Sequence, residues 1–191
     1  THSLKAAVRK LDLATLPKGE SLRVLPAPPF LRHQFPTAAY SAPPPFSKQQ
    51  TGIFWVNDLS LGASNDKDRQ AEIRQHFGLE LTSVHEGYPG HHLQFSVQNR
   101  HRSKLRRLFA HSIFYEGWTM WCEKLAVDLE LIAHPAARLI QLHDALWRAY
   151  RIVIDCGLHS GELTHASAAR LLTKGVGFTM ARAKGDVNWY T

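Results

Sequence analysis

The densest group of candidate metal ligands lies in residues 84–94, whose sequence is VHEGYPGHHLQ. The pair His85-Glu86 and the pair His91-His92 stand on the two sides of a Gly-Tyr-Pro-Gly segment. Imidazole nitrogens and carboxylate oxygens are ligands that Zn²⁺ commonly takes in proteins. A metal ion held by such histidines activates water, and a neighbouring glutamate such as Glu86 can serve as the general base. The segment therefore predicts metal-assisted hydrolysis.

The spacing of these histidines differs from the usual zinc-protease helix, in which they stand at positions i and i+4. Here position i+4 from His85 is Pro89. In a regular helix His92 would lie roughly 10.5 Å along the axis from His85, because each residue rises about 1.5 Å. Proline removes a backbone hydrogen bond and glycine tolerates unusual dihedrals, so a break can bring a second histidine back. We prefer His91 as this ligand, since it directly follows Gly90. His92 would then support a ligand or face the substrate, and it stays the alternative ligand.

A zinc site of this class needs a third ligand from a later helix, and Glu116 is the candidate. It stands in an otherwise apolar segment, where an unpaired carboxylate would be costly. Glu123 follows seven positions later on the same helix face, from which it can hydrogen-bond a ligand. The alternative is that these groups are ordinary polar helix residues, with Glu116 paired to an arginine or a backbone amide.

A second polar group consists of Arg151, Asp155 and His159, whose spacing i, i+4, i+8 places them on one stripe of a helix. Such a row can stabilise an oxyanion or bind a substrate carboxylate, with Asp155 orienting its neighbours. An intrahelical salt bridge with a solvent-facing histidine accounts for the same spacing equally well.

The elements that must position these residues are mainly helical. Apolar residues recur at helical spacing in residues 1–16 and across 69–191, which predicts a helical core holding the metal site in the latter range. Residues 17–51 are rich in proline with interleaved aromatic residues, and we expect a long extended strap packed on the domain. Residues 51–57, TGIFWVN, form the one clear strand. A polar turn is predicted at 62–68.

Helix boundaries inside the core follow from glycine, proline and capping residues. The pattern predicts a helix at 79–98 that is broken at Pro89-Gly90, and either one or two helices at 103–126. A further helix starts near residue 134 and is interrupted at Gly157, and another at 164–173 is capped by Thr164.

Composition sets broad limits on the protein class. The 191 residues are 44% hydrophobic and 20% charged, which indicates one globular domain, and no apolar run approaches the ~18 residues of a membrane span. The net charge of +7 owes much to residues 100–107, RHRSKLRR. Such a run can bind nucleic acid, but it is more often a solvated surface, so we do not expect that partner. Cys122 and Cys156 are expected to be buried free thiols.

These residues resemble the bacterial family called domain of unknown function 885, whose members are regarded as zinc metallopeptidases. The HEGYPGHH string at 85–92 is the specific match, and residues 25–32, 52–57, 116–123 and 148–159 support it by their order. The resemblance implies a mainly α, gluzincin-like metallopeptidase core with a small β element and Zn²⁺ as cofactor. Family members are several times longer, so we expect residues 1–191 to be a single domain from a longer helical metallohydrolase. Trp189 departs from the family, in which an arginine is usual.

We therefore expect His85, Glu116 and either His91 or His92 to hold Zn²⁺, with Glu86 as general base on a zinc-bound water. The given residues open without an initiator Met or an apolar segment, so we expect no signal peptide in them and infer no compartment, with bacterial cytoplasm and periplasm both left open.

The expected substrate is a short peptide, cleaved by a carboxypeptidase- or dipeptidase-like activity. Arg151 or His159 would stabilise the oxyanion or a terminal carboxylate, the Phe54 strand would align an extended peptide by edge pairing, and Tyr88 would contact the substrate. The alternatives are a non-peptide amidase on the same site, an inactive metal-binding remnant and a basic nucleic-acid-binding module.

Overall fold

The structure is a computed structural model that describes residues 1–32, 37–57 and 78–190. This part of the chain is mainly helical with a small three-stranded sheet. It divides into two compact units, Thr1–Ala137 and Arg138–Thr191. The turn predicted at 62–68 and the start of the helical core at 69–77 lie outside the described residues.

The first unit contains the sheet and the helices that carry the metal-ligand candidates. It begins with helix α1 (His2–Lys10), followed by strands β1 (Glu20–Pro26), β2 (Ala38–Ser41) and β3 (Gln50–Val56). Its described part continues with helices α2 (Leu79–Glu86), α3 (His91–Gln98), α4 (Lys104–Leu108) and α5 (Ser112–Asp128). The predicted break in the 79–98 helix is therefore present between α2 and α3, and the 103–126 segment forms two helices.

The strands form one sheet in the order β1-β3-β2, with β3 parallel to β1 and antiparallel to β2. Residue Phe54 of β3 pairs with Val24 on one side and Tyr40 on the other, and its side chain is buried. The prediction that Phe54 binds a peptide by edge pairing is wrong, because both edges of the strand are occupied at this residue.

The proline-rich segment, residues 17–51, contributes two of the three strands. Proline cannot donate to a sheet ladder, and here it lies where strands end: Pro26 closes β1, and residues 43–45 follow β2. The sequence predicted one strand because β1 and β2 depend on pairing with β3.

Helix α1 packs against the helices of the motif in one apolar cluster. Its buried members are Leu4, Val8, Val84, Tyr88, Leu93, Cys122 and Ala126. Burying each large aliphatic side chain contributes roughly 1.5–3 kcal/mol, so the cluster fixes the helices that flank the break. Burial raises the pKa of the Cys122 thiol to about 12. The expectation of a buried thiol is wrong for Cys156, which is exposed.

The second unit is helical and contains α6 (Ala137–His159, which begins at the unit boundary), α7 (His165–Gly175), α8 (Met180–Val187) and a final 3₁₀ turn (Asn188–Tyr190). Thr164 caps α7 as predicted, in a reciprocal capping box with Ser167. Helix α6 continues through Gly157, where a Cβ would lie 2.6 Å from Leu163 Cδ1, so this glycine allows close packing and does not end the helix. Of the helices in the described ranges, none has both the length and the apolar character needed to cross a bilayer.

Candidate metal centre

The break between α2 and α3 brings two histidines together. His85 lies in the last turn of α2 and His91 is the first residue of α3, and their ring centroids are 4.8 Å apart. The backbone N–H of Gly90 donates to the carbonyl oxygen of Val84 at 3.0 Å. A Cβ on Gly90 would lie only 1.9 Å from the carbonyl oxygen of His85, so this close approach requires glycine.

Helix α5 supplies the carboxylate that completes the cluster. Glu116 Oε2 lies 3.4 Å from His85 Nε2, and Glu116 Oε1 lies 3.4 Å from His91 Nε2. One candidate ligand atom from each residue falls within 4.8 Å of the others. The structure thus brings together three of the four residues predicted as metal ligands.

The cluster is buried on the histidine side and open on the glutamate side. The side chains of His85 and His91 are 10% and 8% exposed, whereas that of Glu116 is 50% exposed. Burial alone would raise the pKa of the Glu116 carboxyl, but hydrogen bonds from His85 and His91 outweigh it and hold that pKa well below its usual range. Glu116 is therefore ionised at neutral pH and reachable from solvent.

Glu123 fixes the orientation of His85. Its Oε1 lies 2.7 Å from His85 Nδ1 in a buried contact, which leaves His85 Nε2 directed at Glu116. Burial would lower the pKa of His85, but hydrogen bonds with Glu116 and Glu123 and the charge of Glu86 raise it to about 9. Glu123 thus occupies the place predicted for a residue that orients a ligand.

His91 is held differently, by aromatic rings. Its ring stacks on Tyr40 with centroids 6.2 Å apart and contacts Phe95 and Tyr115 at 5.9 and 5.6 Å. Its Nδ1 is buried and has no hydrogen-bond partner in the described part of the chain. The two histidines of the cluster therefore depend on different surroundings for their orientation.

His92 is fully buried and directed away from the cluster. Its Nε2 lies 2.7 Å from Glu20 Oε2, and its Nδ1 lies 3.1 Å from the Tyr40 hydroxyl. The predictions of His92 as a metal ligand or a substrate-facing residue are therefore wrong. The reason is geometric: successive helix residues point about 100° apart, so only one of the adjacent histidines can face Glu116.

Tyr88 is buried beside His92, binds the same Glu20 carboxylate and does not face a substrate. It is 2% exposed, and its hydroxyl donates to Glu20 Oε2 at 2.5 Å. Lys5 Nζ binds Glu20 Oε1 at 2.6 Å. The prediction that Tyr88 contacts substrate is wrong, because a phenol beside the buried core needs an internal acceptor, and Glu20 supplies it.

Glu20 is the residue at this centre that the sequence did not indicate. Burial would raise the pKa of its carboxyl, but hydrogen bonds from His92, Lys5 and Tyr88 lower it to about 2. Glu20 follows the segment Pro-Lys-Gly and is far in sequence from the histidines, so no motif spacing relates it to them. The only available signal was that a buried His92 requires a partner.

Glu86, the predicted general base, is half-buried and ends α2. Its charge helps to raise the pKa of His85. Burial, together with the charges of Glu86 and Glu20, also raises the pKa of Tyr40. The carboxylate of Glu86 therefore acts electrostatically on one candidate ligand and on the tyrosine stacked against the other.

The polar row of the second unit lies on the surface of α6. His159 Nδ1 is 3.0 Å from Asp155 Oδ1, and these side chains are 66% and 55% exposed. Arg151 donates from Nε to the Tyr190 hydroxyl at 2.9 Å. The structure thus shows the intrahelical pair that the spacing allowed, while the role of Arg151 and His159 at a substrate stays a prediction.

A cavity of about 630 Å³ lies within the first unit, beside α3 and α5. Its walls are mainly apolar and include Leu93, Val97, Phe114 and Trp118. The indole Nε1 of Trp118 donates to the carbonyl oxygen of Pro89 at 2.9 Å, which connects the cavity wall to the break. The volume falls in the range of small-molecule sites.

Part of the basic run is engaged within the protein. Arg100 donates to the carbonyl oxygen of Lys18, and Arg107 donates to that of His101. These two guanidinium groups therefore bind backbone carbonyls of the chain itself.

Comparison with known proteins shows which family the chain belongs to. The family model described as "Bacterial protein of unknown function (DUF885)" matches residues 1–191, the whole chain, and confirms the resemblance found in the motifs. The crystal structure of a putative lipoprotein from Colwellia psychrerythraea is similar, with 24% identity and a TM-score of 0.77, over 99% of this chain and 32% of that one. The structure of a putative lipoprotein of unknown function from Shewanella oneidensis matches with 25% identity and a TM-score of 0.75, over 98% and 33%.

The chain therefore spans about a third of the length of these solved structures. The search of curated proteins finds no match.

Proposed function

We propose that this chain, which belongs to the DUF885 family of bacterial proteins, is a zinc-dependent hydrolase with a gluzincin-like core. The observation that carries the proposal is the convergence of His85, His91 and Glu116, whose ligand atoms lie within 4.8 Å of one another. We further propose that it is a metallopeptidase, carboxypeptidase- or dipeptidase-like, whose substrate is a short peptide.

The residues present fit a zinc ion chemically. Two imidazole nitrogens and one carboxylate from a later helix form a donor set found in catalytic zinc sites. The buried histidines provide a rigid side, and the half-exposed Glu116 leaves the centre open to small molecules. When bound, Zn²⁺ supplies a Lewis acid that polarises a carbonyl and lowers the pKa of water.

Glu123 prepares His85 for this role. Glu123 accepts a hydrogen bond from His85 Nδ1–H, which holds the ring with Nε2 towards Glu116. Because the pKa of His85 is raised to about 9, a metal at Nε2 would have to displace the proton there. Since the contact is buried, the ring has a fixed orientation before any ligand arrives.

Glu86 is the proposed general base. It directly follows His85, is half-buried and is close enough for its charge to affect the pKa of both His85 and Tyr40. In this position its carboxylate accepts a proton from the attacking water and returns it to the departing amine.

The test is hydrolysis of a panel containing dipeptides, longer peptides with free or blocked ends, and simple amides. The zinc-loaded protein should release amino acids, and Glu86→Gln should lower the rate by about 10²–10⁴-fold, the usual contribution of a general base. Asp128→Asn, which alters an exposed pair with Lys124, is the matched control and should retain full activity.

The panel also separates the competing functions. Cleavage of simple amides without cleavage of peptides would replace the peptidase by an amidase on the same site. Full activity in Glu86→Gln, or a folded, zinc-loaded protein that cleaves nothing in the panel, would refute the proposed function.

A further inference from the structure

The carboxylate of Glu20 is the centre of a buried hydrogen-bonded group formed with Lys5, Tyr40, Tyr88 and His92, here called the Glu20 network. The Glu20 side chain is only 2% exposed and contacts Lys5 Nζ, the Tyr88 hydroxyl and His92 Nε2 directly. Tyr40 joins through His92 Nδ1. Enclosing an ionised carboxylate is costly unless hydrogen bonds satisfy it, so these partners are strongly constrained.

Two of these partners stand on opposite sides of the helix break. Tyr88 precedes Pro89-Gly90 and His92 follows His91, yet both bind the same oxygen, Glu20 Oε2. Because Glu20 Oε2 binds both side chains, it holds Tyr88 and His92 at a fixed separation across the break. His91 lies between these two anchored residues.

We propose that Glu20 is a positioning residue for the metal centre, which sets the orientation of His91 by holding Tyr88 and His92 across the break. The inference rests on the proposed function, because it presupposes the ligands His85, His91 and Glu116. It assigns to Glu20 the part that Glu123 plays for His85, although Glu20 acts through the backbone of α3 and not on the His91 ring.

A second connection runs from the network to His91 through Tyr40. The Tyr40 hydroxyl contacts His92, while the Tyr40 ring stacks on His91 with an angle of 20° between the planes. Gly52 leaves the space for this arrangement, since a Cβ there would lie 2.6 Å from both His92 Nδ1 and Tyr40 Oη. All three strands therefore contribute to the surroundings of the His91-His92 pair: β1 through Glu20, β2 through Tyr40 and β3 through Gly52.

This role is distinguishable from simple stabilisation of the fold. A residue that only stabilises the protein leaves the metal site unchanged at temperatures where the variant is fully folded. A positioning residue changes the geometry of the ligands, which alters metal affinity and the visible absorption bands of bound Co²⁺. Loss of a residue that orients a ligand typically weakens metal binding by about 10–100-fold.

The experiment compares wild type, Glu20→Gln, Glu20→Asp and Asp128→Asn by Zn²⁺ titration against a competing chelator and by Co²⁺ absorption. Glu20→Gln should bind Zn²⁺ about 10–100-fold more weakly and show shifted Co²⁺ bands while its circular dichroism is unchanged. Glu20→Asp, which keeps the charge, should recover part of the affinity. Asp128→Asn, in an exposed pair, should match wild type.

A folded Glu20→Gln that binds Zn²⁺ as tightly as wild type, with the same Co²⁺ bands, would overturn the inference. If Glu20→Gln does not fold, Tyr88→Phe removes one hydroxyl from the network and carries the same test, with a smaller loss in the same direction expected and no change overturning the inference. Failure of the proposed function looks different, because wild type itself would then either bind neither Zn²⁺ nor Co²⁺ or bind zinc and cleave nothing in the panel.

Discussion

His85 and His159 each place Nδ1 beside a carboxylate, yet the two pairs differ in what surrounds them. The distance is 2.7 Å from His85 to Glu123 and 3.0 Å from His159 to Asp155. The side chains are 10% and 5% exposed in the first pair and 66% and 55% exposed in the second. Burial leaves His85 one orientation, in which Nε2 faces a second carboxylate, that of Glu116. The exposed His159 instead places Nδ1 also 2.9 Å from the backbone carbonyl oxygen of Asp155, in the same helix.

The difference follows from how the two helices are built. Asp155 and His159 are four residues apart on uninterrupted α6, so they meet each other on one exposed stripe of this helix. His85 and His91 meet because one helix ends and another begins between them, and the carboxylates come from α5. Interrupting a helix thus allows side chains from several elements to converge, while a regular helix arranges them along one exposed stripe.

The largest expected effect comes from Gly90→Ala, which places a side chain inside the break between α2 and α3. The added Cβ would overlap the backbone oxygens of His85 and Val84, at 1.9 and 2.3 Å, and backbone cannot move as a flexible side chain does. We expect a loss of about 3 kcal/mol or more in the free energy of unfolding, together with loss of zinc binding. Urea unfolding and zinc titration measure both.

The control is Gly117→Ala in α5, where no described atom lies within 4 Å of the added Cβ. Alanine there should stabilise the helix by about 0.5–1 kcal/mol. Equal effects of the two substitutions would show that the break is not what positions the ligands.

The next largest effect is the dependence of the Glu20 contribution to stability on pH. Its folded-state pKa of about 2 lies below the ordinary 4.5, so the ionised carboxylate stabilises the fold above pH 4.5 and this contribution is lost as the pH falls towards 2. The shift corresponds to about 3 kcal/mol at most. The stability difference between wild type and Glu20→Gln should therefore be largest near pH 6 and narrow steadily below pH 4.5. Urea unfolding at several pH values checks this, and a difference independent of pH would contradict it.

A smaller loss of stability is expected for Glu123→Gln, which keeps an acceptor but removes the charge beside His85. An impaired hydrogen bond to a buried charged group costs about 1–3 kcal/mol, and zinc affinity should fall by about 10–100-fold. Unchanged zinc affinity in this variant would show that the burial of the pair has no functional consequence.

The smallest effect is expected for Asp155→Asn, the matched change in the exposed pair. Ion pairs on the surface contribute about 0–1 kcal/mol, so the free energy of unfolding should change by less than about 1 kcal/mol. Zinc affinity should remain that of wild type. A loss as large as that of Glu123→Gln would remove the distinction between the two pairs.

The candidate ligands could be predicted because their signals are local. Residue type and the Pro89-Gly90 break are visible in a short stretch, and a carboxylate in an apolar helix marked Glu116. Choosing His91 over His92 depended on Gly90, and the structure places His91 in the cluster.

The features of the fold and site that could not be predicted from the sequence depend on contacts between residues far apart in the chain. Glu20 and His92 are 72 positions apart, and nothing in either segment indicates the other. Phe54 was assigned to an edge because its partners β1 and β2 lie in a proline-rich segment that does not resemble strands. Spacing placed Asp155 and His159 on one stripe but did not reveal that the stripe faces solvent.

The most direct test is the zinc content of the purified, zinc-reconstituted protein, measured by elemental analysis beside His85→Ala and Glu86→Gln. We predict about one zinc per chain in wild type, retained in Glu86→Gln, which is not a ligand, and lost in His85→Ala. A well-folded wild-type protein without bound zinc would contradict the proposed metal centre.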